Sequence, residues 1–361
     1  MRAIKAHIQE NPLAVLLIAL PLALLAELSS WGEVWQFLLS AIGVIPMAAY
    51  IGNATESLAS YTGPRIGGLL NATLGNAAEL IITLMAVNAG LLELVKASIT
   101  GSILGNLLLV LGFAMVTGGI RHGVQTFDRR QSSNNAILLT LTIVALIIPS
   151  LFSHSIGPDN DPKVEALSLG VAVVMIVLYA LGLIFSLKTA KSAITHPSVE
   201  DHEKPKWSIR QSLVVLALST GAIVWLSEML VGATESVVAS LGLSEFFLGI
   251  ILIPIVGNVA EHFVAVQVAM RNQMELSVEI AVSSSLQVAL FVAPLLVFVS
   301  LLMGNPLTLI FNQFELLALI AAVVITALVS SDGESNWLEG ATLLAVYAIL
   351  GIAFFLLPAV Q

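Results

Sequence analysis

Long apolar runs, separated by short polar stretches, cover almost the whole chain. They lie near 12–28, 34–60, 66–88, 92–119, 132–152, 164–187, 209–239, 245–270, 275–302, 307–330 and 336–358. Crossing the hydrocarbon of a bilayer takes about 20 residues of helix, more with tilt, and each run is near or above that length. None alternates with the period of two that a membrane barrel strand requires, so the spans must satisfy their backbone polar groups as helices. The pattern predicts an all-α membrane protein with about 11 transmembrane helices.

Composition agrees and narrows the function classes. Hydrophobic residues make up 58% of the 361 and charged residues 10%, with a mean hydropathy of +0.98, far outside what a soluble core needs. The absence of Cys excludes a disulfide framework, a thiolate metal site and cysteine nucleophile chemistry. A formal charge of −9 argues against nucleic acid as a partner; the immediate partner is membrane lipid. Placement of the cations says more than their sum. Twelve of the 14 Lys and Arg residues fall at the N-terminus or in loops after even-numbered runs, and Lys96 and Lys163 stand on the other side. The positive-inside rule then places the N-terminus in the cytoplasm and the C-terminus outside. The first run follows Arg2 and Lys5 like a signal peptide, yet has no small-x-small cleavage site after it, so residues 1–31 read as a retained anchor span.

The polar interruptions repeat. ATES occurs at Ala54–Ser57 and Ala233–Ser236, and GNxxE at Gly75–Glu79 and Gly257–Glu261, offsets of 179 and 182 residues; ITGSILGN (99–106) and SSSLQVAL (283–290) follow the two GNxxE motifs. Copies this long are duplicated domains, not solenoid units. One five-helix repeat is expected over 32–187 and a second over 209–361, joined by a polar linker, 188–208, that reads as a solvated connector. An odd number of spans per copy inverts the second copy in the membrane, the architecture of many secondary transporters with a midplane site.

Glu79 and Glu261 lie where the surrounding residues call for lipid. A carboxylate at a helix centre costs roughly 2.5 to 3.5 kcal/mol on insertion scales, and about a dozen mostly apolar residues flank each one. No Lys or Arg is expected beside them as a counter-ion. Asn76 and Glu79 are i and i+3 on one helix face, as are Asn258 and Glu261. Gly75 and Gly257, the latter just after Pro254, are positioned to loosen the helix and free carbonyl oxygens toward a cavity. Ser102 and Asn106 (i, i+4), and Ser284 and Gln287 (i, i+3), point hydroxyl and amide oxygens one way, although Gly101-xxx-Gly105 also fits close helix packing. Two carboxylates with amide, hydroxyl and carbonyl oxygens form a hard donor set. Ca²⁺ prefers six to eight such oxygens in a tolerant geometry, whereas Mg²⁺ demands a tight octahedron and keeps its waters. The set therefore favours Ca²⁺, with other alkaline-earth ions or Mn²⁺ behind it. Glu56 and Glu235, nearer the ends of their spans, are interfacial carboxylates or, if they face the cavity, proton carriers or guards of its mouths. Glu228 ranks below them because Ala49 takes its place in the first copy. His262, about 100° round the helix from Glu261, is either a packed or carbonyl-bonded histidine or a ligand or proton relay.

LLNATLGNAAELIITLMAV, both ATES segments, GNVAEHFVAVQVAMR and SSSLQVALFVAP resemble the paired signature repeats of the calcium/proton exchangers, the CAX family of the calcium:cation antiporters. Val259 and Ser283 depart from residues common there (Ala and Gly), and neither change removes a donor oxygen. The resemblance implies that Glu79 and Glu261 carry the exchanged cation, helped by Asn76, Asn258, Ser284 and Gln287, and that the spans holding Glu56 and Glu235 gate access. It also implies that the linker, with Glu200, Asp201 and Glu203, corresponds to an acidic regulatory segment. The expected activity is antiport of Ca²⁺ against H⁺ with no cofactor, in a single copy or a homo-oligomer. A sodium/calcium exchanger would share the repeat but needs further sodium ligands, and a divalent-cation channel needs no GNxxE symmetry. An intramembrane protease fits poorly: HExxH is missing, all five Asp residues lie in loops, and His262 is the only His well inside a span.

Overall fold

The computed structural model describes residues 11–158, 161–188 and 205–357. Most of the 188–208 linker, with Glu200, Asp201 and Glu203, and residues 1–10 lie outside the described residues. The architecture is helical: α1 (Pro12–Leu28), α2 (Glu33–Leu74), α3 (Ala77–Asn88), α4 (Leu92–His122), α5 (Arg129–Ile156), α6 (Pro162–Lys188), α7 (Ile209–Gly232), α8 (Thr234–Leu241), α9 (Glu245–Ala269), α10 (Met274–Met303), α11 (Gln313–Val329) and α12 (Trp337–Leu356). Among the described residues, eight of these are long and apolar enough to cross a membrane. The shorter apolar helices α1, α3 and α11 lie within the remaining three predicted runs.

Local chemistry sets the helix ends. Asp128 caps α5 by accepting from the Arg130 and Gln131 backbone N–H groups. Reciprocal capping boxes open α7 (Ser208 with Gln211), α11 (Asn312 with Glu315) and α12 (Asn336 with Glu339). Gly304 stops α10 in the left-handed conformation that favours glycine.

Three boundaries differ from the apolar pattern. The 34–60 and 66–88 runs are divided elsewhere: α2 continues through a bend at Gly63 (φ 80°, ψ 170°) to Leu74, and the helix breaks at Gly75–Asn76. The 209–239 run is interrupted at Ala233. The 307–330 run opens with an irregular segment before α11 begins at Gln313. Backbone of that kind inside an apolar bundle persists only if its polar groups are satisfied. Three serines do this in alternation, Ser300 accepting from Leu307 N–H (2.8 Å), Ser168 from Leu309 N–H (3.1 Å) and Ser150 from Phe311 N–H (2.9 Å).

The connections between helices sort into two groups. In one, β1 (Gln125–Thr126) pairs antiparallel with β2 (Glu334–Ser335), while Gln125 donates to Ala269 O and Asn272 Oδ1 and His122 Nε2 meets Met270 O. This joins the segments after α4, α9 and α11. In the other, Asn305 donates to Val87 O at 2.9 Å, joining the segments after α3 and α10. Leu302, Val174, Phe185 and Ile349 point outward on the helix flanks, while α3, α4, α9 and α10 pack together at the centre.

Candidate functional site

The four central helices each carry a defect where the polar motifs fall. Between α2 and α3 the chain leaves helical geometry at Asn76 (φ −94°, ψ 24°), so Glu79 sits in the first turn of α3, where unpaired N–H groups and the helix dipole favour negative charge. In α4, a π-helical stretch, Gly105–Val110, follows Ser102; in α10 a matching stretch, Val288–Val292, follows Gln287. α9 carries one at Leu248–Leu252, just before Pro254. The α2–α3 break agrees with the expectation for Gly75. Gly257 departs from it, because α9 runs unbroken through Gly257 and Asn258. Pro254 lacks an N–H, and the π stretch upstream absorbs that loss. Gly257 instead lies against the Glu79 turn, where a Cβ would make ordinary van der Waals contact, 3.6 Å from Glu79 Cβ.

These defects bring the signature residues into one buried network. Glu79, 1% exposed, accepts from the Ser102 hydroxyl on Oε1 and from Asn258 Nδ2 on Oε2 (3.4 Å). Asn258 Nδ2 also lies 3.4 Å from Ser102 Oγ and 3.2 Å from Pro254 O. Beside this, Asn76 Nδ2 donates to Gln287 Oε1 (2.8 Å), and its Oδ1 accepts from Ser284 Oγ (3.2 Å). Asn106 Nδ2 donates to Ser284 Oγ (3.0 Å), and its Oδ1 meets His262 Nε2 at 3.2 Å. Both clusters link residues from before and after the linker. Glu261 is half-buried and close enough for its charge to act on Glu79. Among the described residues, no three carboxylates or imidazoles gather as a ready metal cage; the set has two carboxylates completed by amide and hydroxyl oxygens.

Glu79, Asn76, Asn258, Ser102, Asn106, Ser284 and Gln287 thus come together, and His262, whose role the spacing left open, joins them through Asn106. Glu56 and Glu235 do not join them: both are exposed on α2 and α8. Gly101 serves packing, since a Cβ on it would overlap Ile250 O and lie 2.6 Å from Pro254 Cγ. Lys96, counted from the sequence with the loop cations, lies inside a span instead. It is buried in α4 and paired to Glu93 at 2.6 Å, with no partner in the Glu79 network. Two acidic features escaped the sequence. Glu315 on α11 is 1% exposed; its signal was the one that marked Glu79, a lone carboxylate inside an apolar run, but without a repeated motif around it. Glu27, Glu33 and Glu228 line a cleft of about 240 Å³ between α1, α2 and α7, where Trp225 Nε1 donates to Glu27 (3.1 Å). None of the cleft's lining residues belongs to the buried network.

A helical membrane bundle with paired acidic motifs meeting on broken or π-distorted helices defines an ion-exchanger class of protein. Comparison with known proteins makes that specific. The sodium/calcium exchanger protein family matches residues 32–188 and 211–356. A Ca(2+)/H(+) antiporter of Aphanothece halophytica is 45% identical over 359 residues, covering 96% of each chain. The Ca(2+)/H(+) antiporter ChaA of Bacillus subtilis is 44% identical, covering 96% of this chain and all of that one. The solved structure of native YfkE superposes with a TM-score of 0.84 at 41% identity, over 96% of this chain and 100% of the other. The chain belongs to the sodium/calcium exchanger protein family, on its calcium/proton exchanger branch.

Proposed function

We propose that this protein is a secondary antiporter that exchanges Ca²⁺ for H⁺ across a membrane by alternating access, with Glu79 and Glu261 as the shared site for both ions. The observation that carries this reading is the network that ties Glu79 to Ser102 and Asn258, a buried carboxylate held by neutral donors from two helices and within electrostatic reach of a second carboxylate. Relatives named as Ca²⁺/H⁺ antiporters, similar along the full length, support it.

The geometry suggests how coupling works. Two nearby carboxylates in a desolvated site repel each other and must be neutralised, either by a divalent cation or by protons. An occluded site that is empty and doubly charged is too costly to cross between the two faces, so the loaded forms carry the traffic. Ca²⁺ takes the carboxylates with Asn76, Asn258, Ser284 and Gln287 supplying further oxygens, and the backbone carbonyls near Gly75 and Gly257 remain candidates for the rest. Ser102 and Asn106 hold Glu79 and Ser284 in place, and His262 extends the network toward the half-exposed Glu261. Glu56 and Glu235, outside the buried set, are proposed as groups at the mouths of the path.

The same reading has eleven crossings, the α1 anchor followed by ten in two inverted five-helix repeats. Its support is the sorting of connections, with the segments after α4, α9 and α11 on one face and those after α3 and α10 on the other. With the Lys and Arg bias, the first of these faces is cytoplasmic. Sodium coupling is the weaker alternative, because amides stand at Asn76 and Asn258 where further anionic or hydroxyl sodium ligands would be expected. The test is Ca²⁺ uptake into proteoliposomes under an imposed pH gradient without Na⁺. Uptake that needs the pH gradient upholds the proposal, and uptake that needs Na⁺ overturns it.

A further inference from the structure

Glu315 is a buried acid that the Glu79 network does not use. Its carboxylate accepts from Asn312 N–H on Oε2 (2.8 Å) and from the Thr100 hydroxyl on Oε1 (3.3 Å), and both donors are neutral. Among the described residues, the charged groups that act on it are Glu93 and Lys96 on α4; α5 and α12, which also pack on α11, add none. Lys96 is already held 2.6 Å from the Glu93 carboxylate, and Glu245 at the start of α9 adds a further acid near Glu93. One ammonium therefore faces at least two carboxylates, and Glu315 has no cation of its own. An unpaired buried carboxylate costs several kcal/mol unless it is neutralised. A metal ion would meet the Lys96 charge, whereas a proton neutralises Glu315 at no such cost.

The surroundings supply a way in. Glu93, Lys96 and Thr100 are spaced i, i+3, i+7 and form one stripe along α4, from the exposed Glu93 inward to Thr100. Ser102, 200° round the same helix from Thr100, bonds Glu79. α4 thus carries Glu315 on one face and the cation site on the other.

Capping alone does not explain Glu315. Gln211 fills the same position in the α7 capping box without a charge, and Glu339 fills it on α12 while half-buried. From this placement we infer that Glu315 is a second proton-binding carboxylate, separate from the Glu79 and Glu261 site, which exchanges its proton along the Thr100, Lys96 and Glu93 stripe with the face bearing the 88–92 and 304–312 connections. The inference rests on the exchanger reading for its effect on transport, but not for proton binding itself.

Glu315→Gln is the decisive variant, because glutamine keeps the cap, as Gln211 shows, and removes the titration. Thr100→Val serves as a second variant that leaves the acid in place. Infrared difference spectra of the purified full chain between acidic and alkaline pH are expected to show a protonated-carboxyl band that Glu315→Gln lacks and Thr100→Val shifts. Ca²⁺ uptake by Glu315→Gln in proteoliposomes is expected to depend less steeply on pH than that of the wild type. A spectrum and a pH profile unchanged in Glu315→Gln would overturn the inference and leave Glu315 as a cap. If the band is lost in Glu315→Gln but wild-type uptake ignores the pH gradient, the exchanger reading fails and Glu315 stands as a proton site.

Discussion

Removing the Ser102 hydroxyl perturbs the proposed cation site without touching its charge. Ser102 donates to Glu79 Oε1 and lies 3.4 Å from Asn258 Nδ2, so Ser102→Ala deletes a bond to a buried carboxylate and a neighbour of the amide that braces its other oxygen. Hydrogen bonds to charged groups contribute about 1.5 to 3 kcal/mol. The hydroxyl is buried, at 1% exposure, so the bond is shielded from bulk solvent and the full range applies. If Ca²⁺ draws on the oriented carboxylate, the Ca²⁺ concentration for half-maximal uptake rises roughly 10- to 150-fold. The assay is Ca²⁺ uptake into proteoliposomes at fixed pH, with thermal unfolding in detergent as a control for folding. A folded Ser102→Ala protein whose half-saturation stays within about twofold of wild type, well under 1 kcal/mol, would refute the claim that Ser102 holds Glu79 for the cation.

Further outcomes follow from the same geometry. Asn76→Ala removes the bonds to both Gln287 and Ser284 and should weaken Ca²⁺ by about 1 to 3 kcal/mol, read in the same assay. Because carboxylates bind a metal only when deprotonated, lowering the pH must weaken Ca²⁺, by at most about tenfold per pH unit for each proton displaced, measurable by calorimetry in two buffers. Gly101→Ala drives a methyl into Ile250 O and Pro254 and should cost about 1 to 3 kcal/mol through overpacking, seen as a lower Tm in detergent.

Much of this was legible in the chain because membrane solvent makes polar residues conspicuous. Apolar runs marked the helices, and the doubled GNxxE marked Asn76, Glu79, Asn258 and Glu261, since only a repeated cost suggests a site. Spacing of i+3 and i+4 was enough to aim Ser102, Asn106, Ser284 and Gln287 inward. What escaped depended on backbone detail or on single residues. A glycine signals freedom but not which use is made of it, so Gly75 at a break and Gly257 inside an unbroken helix look alike in sequence. The irregular 307–312 segment stayed hidden because two of its three partners, Ser150 and Ser168, are distant in the chain. Glu315 was missed for want of a second copy, Lys96 was counted with the loop cations, and the exposure of Glu56 and Glu235 is set by how α2 and α8 pack, which periodicity does not reveal.

Recording Ca²⁺ and H⁺ movements together in the same Na⁺-free proteoliposomes, for wild type beside Glu79→Gln and Glu261→Gln, tests the central claim most directly. The account predicts that wild-type Ca²⁺ entry is matched by H⁺ exit and that either substitution abolishes both. Ca²⁺ entry without proton counter-flow, or exchange intact in either variant, would contradict it.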